Sequence, residues 1–274
     1  MKPVIEIAHL TKRYGKNRGV TDLSFTVEQG EIFGFLGPNG AGKSTTIRAM
    51  LGFIGFDSGE IRLLGKDIRR EREEILAQVG YMPSETMFYP NMKAGEIIRM
   101  AAQVRRKDCR EEAGILCERL QVDTEKRICE LSLGNRKKVS IVCAMQHRPE
   151  LFIFDEPTSG LDPLMQTAFF QLIREYVEQG ATCILSTHVL SEVRRYCDRA
   201  AILKEGQLQR VDTVSALTRA GAKRIKWVRD GRQEEFIYEG DLNDLHKELA
   251  GHDITDLLIE EPSLEEAFME YYRS

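Results

Sequence analysis

The chain has 274 residues and 42% of them are hydrophobic, which is enough for one large domain and a second small one. A formal net charge of -4 excludes a general nucleic-acid binder, and the local basic runs Arg69-Arg70 and Arg105-Arg106-Lys107 read as solvated faces. No apolar run reaches the roughly 20 residues that span a bilayer, and the six cysteines contain no C-x-x-C pair, so a membrane span, a zinc site and a disulfide framework are all unexpected and a reducing cytosol fits best.

Short alternating or apolar stretches predict strands at "VIEIAHL", "LSFTVEQG" and "EIFGFLG", within residues 4–37. The third runs straight into the glycine-rich segment Gly37-Pro38-Asn39-Gly40-Ala41-Gly42-Lys43-Ser44-Thr45. A helical pattern follows from Lys43 to Leu51 and stops at Gly52. "EIRLLG" reads as a further strand, and residues from about 91 to 147 as a mostly helical insertion.

After Pro149 come "LFIFDEP" and "ATCILSTH", nearly continuous apolar runs of strand length, the mark of strands buried on both faces of a parallel sheet. The segment between them, "MQTAFFQLIREYVEQG", is helical, which makes a βαβ unit. Past about Val211 the pattern changes. "RIKWVRDG" and "EEFIYEG" predict a hairpin, "LNDLHKELA" a short helix, and "PSLEEAFMEYY" a terminal helix opened by Pro262 and Ser263. The expected organisation is an α/β domain over residues 1–215 and a small α+β accessory domain over 216–274.

The glycine-rich segment fits G-x-x-x-x-G-K-[ST] with Gly37, Gly42, Lys43 and Ser44 in place. Backbone N–H groups can approach phosphate oxygens there at φ values that a Cβ would forbid. Lys43 brings charge to the β- and γ-phosphates, Ser44 a hydroxyl ligand for Mg²⁺, and the helix aims its dipole at the anion. "LFIFDEP" supplies the other half: Asp155, ending a buried strand, is a candidate for holding the magnesium, and Glu156 for activating a water as general base.

A third stretch, "ELSLGNRKKVS" at 130–140, puts Arg136, Lys137 and Lys138 into the first turns of an expected helix. A helix N-terminus carries partial positive charge and repels cations, so an anion is expected there in the working state.

The order of these motifs resembles the ATP-binding cassette (ABC) family, in particular the nucleotide-binding subunit of bacterial exporters of drugs, antibiotics or bacteriocins, over residues of about 4 to 210. The resemblance implies a P-loop cassette with a mixed, mainly parallel sheet, an N-terminal antiparallel part and a helical subdomain. It also implies ATP and Mg²⁺ as ligands, a second nucleotide-binding subunit (a homodimer, or a heterodimer) and a separate transmembrane permease that holds this subunit at the cytoplasmic face of the membrane. Each signature segment then touches the γ-phosphate held by the other subunit. Here Leu131-Ser132-Leu133-Gly134-Asn135 matches L-S-G-G-Q, with Ser132 as N-cap and Ser132, Gly134 and Asn135 acting in trans.

By the same resemblance Tyr14 is the aromatic residue that stacks on adenine, His188 the switch histidine at the γ-phosphate, and Asp162 of "SGLD" the residue that communicates across the dimer. Three positions depart from the family pattern: Leu133 for a glycine, Asn135 for the glutamine, and Ser84, with Glu85 after it, where a glutamine follows the proline of "GYMPSE". Ser84 is too short to span the same gap to the metal directly, so a water or Glu85 is expected to bridge it. Soluble ABC ATPases of ribosomes or DNA repair are the alternative class, but they commonly join two cassettes or carry a long coiled-coil insertion, and neither pattern is present. A GTPase or small-molecule kinase is disfavoured by the lack of N-K-x-D and by "LSLGN" upstream of "DEP". Glu156 argues against a binding module without catalysis.

Overall fold

Apolar residues recurring at every second position carry the chain into its first sheet. The computed structural model describes residues 3–15, 18–217, 223–229, 232–238, 240, 242–250 and 254–260. The chain divides into two compact units, 1–211 and 212–274. The elements begin with β1 (Pro3–Tyr14), β2 (Arg18–Glu28), β3 (Ile32–Leu36), α1 (Lys43–Met50), β4 (Ser58–Leu63), β5 (Lys66–Asp67), α2 (Arg72–Ala77) and β6 (Val79–Met82). Three helices follow, α3 (Ala94–Val104), α4 (Arg110–Arg119) and α5 (Leu133–Met145). Then come β7 (Leu151–Asp155), α6 (Pro163–Glu178), β8 (Thr182–Thr187), α7 (Leu190–Tyr196), β9 (Arg199–Lys204) and β10 (Gln207–Thr213).

Two sheets organise the first unit. One has the order β2-β1-β4-β5 and is antiparallel; the other has the order β10-β9-β3-β8-β7-β6. From β9 through β6 the neighbours in that second sheet are parallel. The continuous apolar runs behave as expected, every residue of β7 and β8 being buried, and β3 is buried throughout as well. Phe25 of the antiparallel sheet stacks on Phe33 and Phe35 of β3, with centroids 5.7 and 5.4 Å away, which joins the sheets through one core. Helix α7 lies on the other side of β3, where a Cβ at Gly34 would meet Val193 and Cys197 at 3.2 Å.

The helical insertion is held to the sheet by specific contacts. A Cβ at Gly80 would stand 2.3 Å from the carbonyl oxygen of Ala144, so the α5 backbone is pressed onto β6 where only glycine fits. The guanidinium of Arg105 donates to the carbonyls of Leu76 and Val79, and the Gln146 amide to that of Ile98, tying α3 to β6 and α5 to α3.

The second unit contains α8 (Val214–Leu217), β11 (Lys223–Arg229), β12 (Arg232–Tyr238), α9 (Leu242–Leu249) and β13 (Ile254–Glu260). Its antiparallel sheet has the order β12-β11-β13, with Ile225, Trp227, Leu245 and Leu249 at its centre. The hairpin and short helix stand where the sequence places them; β13 has no counterpart among the elements the sequence predicts. The terminal helix expected from Pro262 lies outside the described residues. Among the described residues no helix is long and apolar enough to cross a membrane.

Candidate functional site

The parallel strands point the same way, so the loops leaving β3, β7 and β8 meet at one sheet edge, where α/β proteins collect ligands. From β3 the chain enters Gly37 to Gly42 and turns into α1. Gly42 has φ 106°, and a Cβ on it would lie 2.5 Å from Cγ1 of Val20. A Cβ on Gly37 would lie 2.5 Å from the Leu203 carbonyl oxygen. A Cβ would therefore clash at both glycines, and at Gly42 the positive φ is a second reason for glycine. No side chain caps α1 and its first turn has no acidic residue, so its leading N–H groups are left for an anion. Pro38, Asn39 and Gly40 are exposed, Ala41 is buried, and Ser44 and Thr45 are half-buried.

Lys43 is buried at 5% exposure. Its Nζ donates to the carbonyls of Gly37 at 2.7 Å and Pro38 at 3.2 Å and sits 3.5 Å from Oε1 of Glu156. Burial pushes its pKa down, and the Glu156 carboxylate pulls it back up.

Asp155 and Glu156 leave β7 in different environments. Asp155 is 1% exposed and accepts the Ser186 hydroxyl proton on Oδ1 at 2.5 Å. Glu156 takes φ 50°, a left-handed value that costs energy in a non-glycine residue and is common at functional sites. Its N–H donates to the Ser186 carbonyl and to Ser186 Oγ, each at 3.1 Å. Ser186 thus orients both acids, a role that "ILSTH" does not reveal because a serine within an apolar strand carries no signal of its own. Nδ1 of His188 lies 3.4 Å from Oε1 of Glu156, so the histidine, the catalytic carboxylate candidate and Lys43 form one chain of contacts.

Beside the glycine-rich loop is a cleft of about 780 Å³ that includes Tyr14, Asn39, Gly40, Lys43, Ser44, Thr45 and Glu156. Tyr14, at the end of β1, is 45% exposed with the Lys12 ammonium 5.2 Å from its ring centroid, which leaves an aromatic face to a flat partner. Arg13, Gly19, Thr21 and Glu205 also line this cleft, and none was read from the sequence. The signal for Glu205 was the hairpin turn Glu205-Gly206, both at positive φ.

Ser132, Gly134 and Asn135 are not among the residues lining that cleft. Ser132 is the N-cap of α5, its hydroxyl accepting the Asn135 N–H at 3.3 Å. A Cβ on Gly134 would lie 2.5 Å from the Gly160 carbonyl oxygen, so the signature turn is packed on the "SGLD" loop of its own chain. Leu133 is helical, 62% exposed and not at positive φ, so the backbone of this chain does not require a glycine there. Asp162 caps α6, accepting the N–H groups of Leu164 and Met165 at 3.1 and 3.0 Å ahead of Pro163.

The three cations of α5 differ from expectation. Arg136 folds back to donate to the Leu131 carbonyl, and Lys137 and Lys138 are buried. The Lys137 ammonium donates to the Ser84 carbonyl at 3.1 Å. Burial pushes its pKa down while Glu156 and Asp155 raise it. Ser84 is half-buried and Glu85 exposed.

The donor set suits a nucleoside triphosphate with a hard divalent ion. A free helix N-terminus, a buried lysine, the Ser44 hydroxyl and the Asp155 carboxylate offer charge and oxygen ligands. Among the described residues no three His, Cys, Asp or Glu side chains gather into a metal cluster, whereas Mg²⁺ is commonly held by one or two protein oxygens together with substrate phosphates. A phosphate loop between a buried parallel strand and a helix, with two acids at the end of the next strand but one, defines a P-loop nucleoside triphosphatase.

Comparison narrows the class. Residues 20–159 match the family model described as ABC transporter. The bacitracin transport ATP-binding protein BcrA of Bacillus licheniformis is 38% identical over 212 residues, covering 76% of this chain and 69% of that protein. The linearmycin resistance ATP-binding protein LnrL of Bacillus subtilis is 30% identical over 97% of both chains. A solved structure described as the ATP-binding subunit of an ABC transporter superposes with TM-score 0.73 at 30% identity, covering 90% of this chain and 99% of that one. The chain belongs to the ABC transporter family, as an ATP-binding ATPase subunit.

Proposed function

We propose that this subunit binds and hydrolyses ATP at a site completed by a second nucleotide-binding subunit, and that the resulting motion drives export through a separate transmembrane permease. The observation that carries the reading is the division of the site. Gly37 to Thr45, Asp155, Glu156 and His188 gather at one sheet edge, while the capped turn at Ser132 and Gly134 stays outside the cleft of its own chain. A turn that presents a helix N-terminus, away from its own phosphate loop, suits a triphosphate held by another copy.

In this reading the α1 N-terminus and Lys43 bind the β- and γ-phosphates, and Tyr14 stacks on the adenine. Ser44 and Asp155 would hold Mg²⁺, with Ser84 or Glu85 as a further contact, and the ion would supply charge neutralisation on the phosphate oxygens. Glu156 takes a proton from the attacking water, and His188 holds that carboxylate and the γ-phosphate in register. Ser132, Gly134 and Asn135 close over the γ-phosphate from the partner, and Asp162 carries the contact between the two halves. Transition-state charge is met by groups already in place, so little reorganisation is needed at the moment of reaction. Export rests on the relatives named for bacitracin transport, linearmycin resistance and Nod factor export.

The experiment is affinity purification of the tagged subunit from detergent-solubilised membranes, beside ribosomal and DNA fractions, followed by ATPase assay of whatever is retained. A polytopic protein that co-purifies and raises the ATPase rate in vesicles is the expected result. Retention on ribosomes or DNA without a membrane protein would contradict it. In this reading the permease holds the subunit at the cytoplasmic face of the membrane.

A further inference from the structure

The ammonium of Lys137 has no part in the mechanism above, yet it is built into the site. Its residue is 3% exposed and its Nζ donates to the carbonyl of Ser84 at 3.1 Å. Ser84 directly follows Pro83 in the loop that leaves β6. The helix that carries the lysine cannot drift from that strand, because Gly80 of β6 and Ala144 of α5 meet at a distance only glycine permits. The ammonium is acted on electrostatically by the carboxylates of Glu156 and Asp155, at the end of β7, the strand hydrogen-bonded to β6.

A buried ammonium is unfavourable unless its partners offset the loss of water, and an apolar side chain of the same length fills such a space without that cost. A cation at this position is therefore explained by what it holds. We propose that Lys137 is a positioning residue for hydrolysis: from α5 it fixes the Ser84 carbonyl, and with it the loop after Pro83, beside the Glu156 and Asp155 carboxylates of its own chain. The idea rests on the ATPase reading and deepens it. Ser132 and Lys137 are five residues apart on one helix, about 7.5 Å of rise, so a phosphate contact at the Ser132 turn and the loop contact at Lys137 are made by one rigid piece. The departure at position 84 then has a physical account. A contact donated from α5 to the backbone does not depend on the length of the residue 84 side chain.

Three variants of the full chain test this: Lys137→Met removes the charge and keeps the stem, Lys137→Gln keeps a neutral donor, and Lys137→Arg keeps the charge. Each is measured for kcat and KM in phosphate release, for ATP affinity by displacement of a fluorescent ATP analogue, and for hydrogen exchange of the 84–86 amides without nucleotide. For Lys137→Met the expected result is a fall in kcat of about tenfold or more, with KM and ATP affinity changed by less than about twofold and faster exchange at 84–86. Lys137→Arg should recover most of the rate and the protection. Lys137→Met with parental kcat and parental exchange would overturn the proposal, as would an Arg variant no better than Met. Should the Met variant not fold, Lys137→Gln carries the same comparison, with parental kcat and exchange overturning the proposal and a slower kcat with faster exchange supporting it. An unmodified chain that hydrolyses no ATP would contradict the ATPase reading itself, whereas an active parent with an equally active Met variant contradicts only the role of Lys137.

Discussion

The phosphate loop and the helical side of the site are built under different kinds of constraint. Between β3 and α1 the geometry is backbone geometry: Gly37 and Gly42 are there because a Cβ would strike Leu203 or Val20, and Gly42 also sits at positive φ. Around α5 the geometry is held by side chains: Ser132 caps the helix, Lys137 grips the Ser84 carbonyl, and Arg105 and Gln146 reach backbone carbonyls of neighbouring elements. Backbone constraint admits one residue type and leaves a fixed spacing. Side-chain constraint admits exchange, one residue taking over from another on a different element. The three departures from the family pattern, Leu133, Asn135 and Ser84, all fall on the helical side.

The largest effect is expected at the acids that both sides of the site face. Glu156→Gln should lower the phosphate-release rate by about 10²- to 10⁴-fold while nucleotide binding persists, because the φ 50° backbone and its Ser186 contacts do not depend on the carboxylate. A fast Gln variant would move the general base elsewhere. On the helical side, Ser132→Arg should reduce turnover by at least about tenfold and leave the ATP affinity of a single chain unchanged, since the turn lies outside the chain's own cleft. Unchanged turnover would remove the α5 turn from the mechanism.

The charge environments differ as well, which gives a pH signature. Lys43 has Glu156 as counter-charge, whereas His147, beyond the end of α5, is buried beside the cations Arg105 and Lys107 and its pKa is pushed down to about 3, chiefly by burial. The folded chain therefore refuses a proton that the unfolded chain accepts below about pH 6.5, so stability is whole above that pH and is lost as pH falls toward 3. Denaturant titrations should show about 2 kcal/mol less stability near pH 5 than near pH 7.5, and His147→Leu should flatten the difference. The smallest effect is at Asp162: losing the α6 cap in Asp162→Ala should cost about 1 kcal/mol in the same titration. A far larger loss of ATPase than of stability in that variant would separate its proposed role across the dimer from its role as a cap.

What was legible in the sequence follows the same division. The phosphate loop, the buried strands β3, β7 and β8 and the position of Ser132 as a cap could be read because each depends on local residues in a fixed order. Lys137 could not. Its partner is 53 residues away in the chain, and a row of cations at a helix start reads as a row facing an anion. Ser186 was passed over because a serine inside an apolar strand carries no signal until its neighbours at Asp155 and Glu156 are in place. Strand β6 was not called as a strand because only four residues span it, and β13 because Thr255 and Asp256 interrupt its apolar run. The cleft residues Arg13, Thr21 and Glu205 come from three separate elements, and only folding brings them together.

In the proposed function each nucleotide is enclosed by two copies, one gripping the phosphates and the other closing over them with the Ser132 turn. The most direct measurement is the molar mass in solution of the Glu156→Gln chain with and without Mg²⁺ and ATP. The expected result is the mass of one chain without nucleotide and twice that mass with it, reverting to one chain when Ser132→Arg is added. A mass of one chain at every ATP concentration, with ATP shown to be bound, would contradict it.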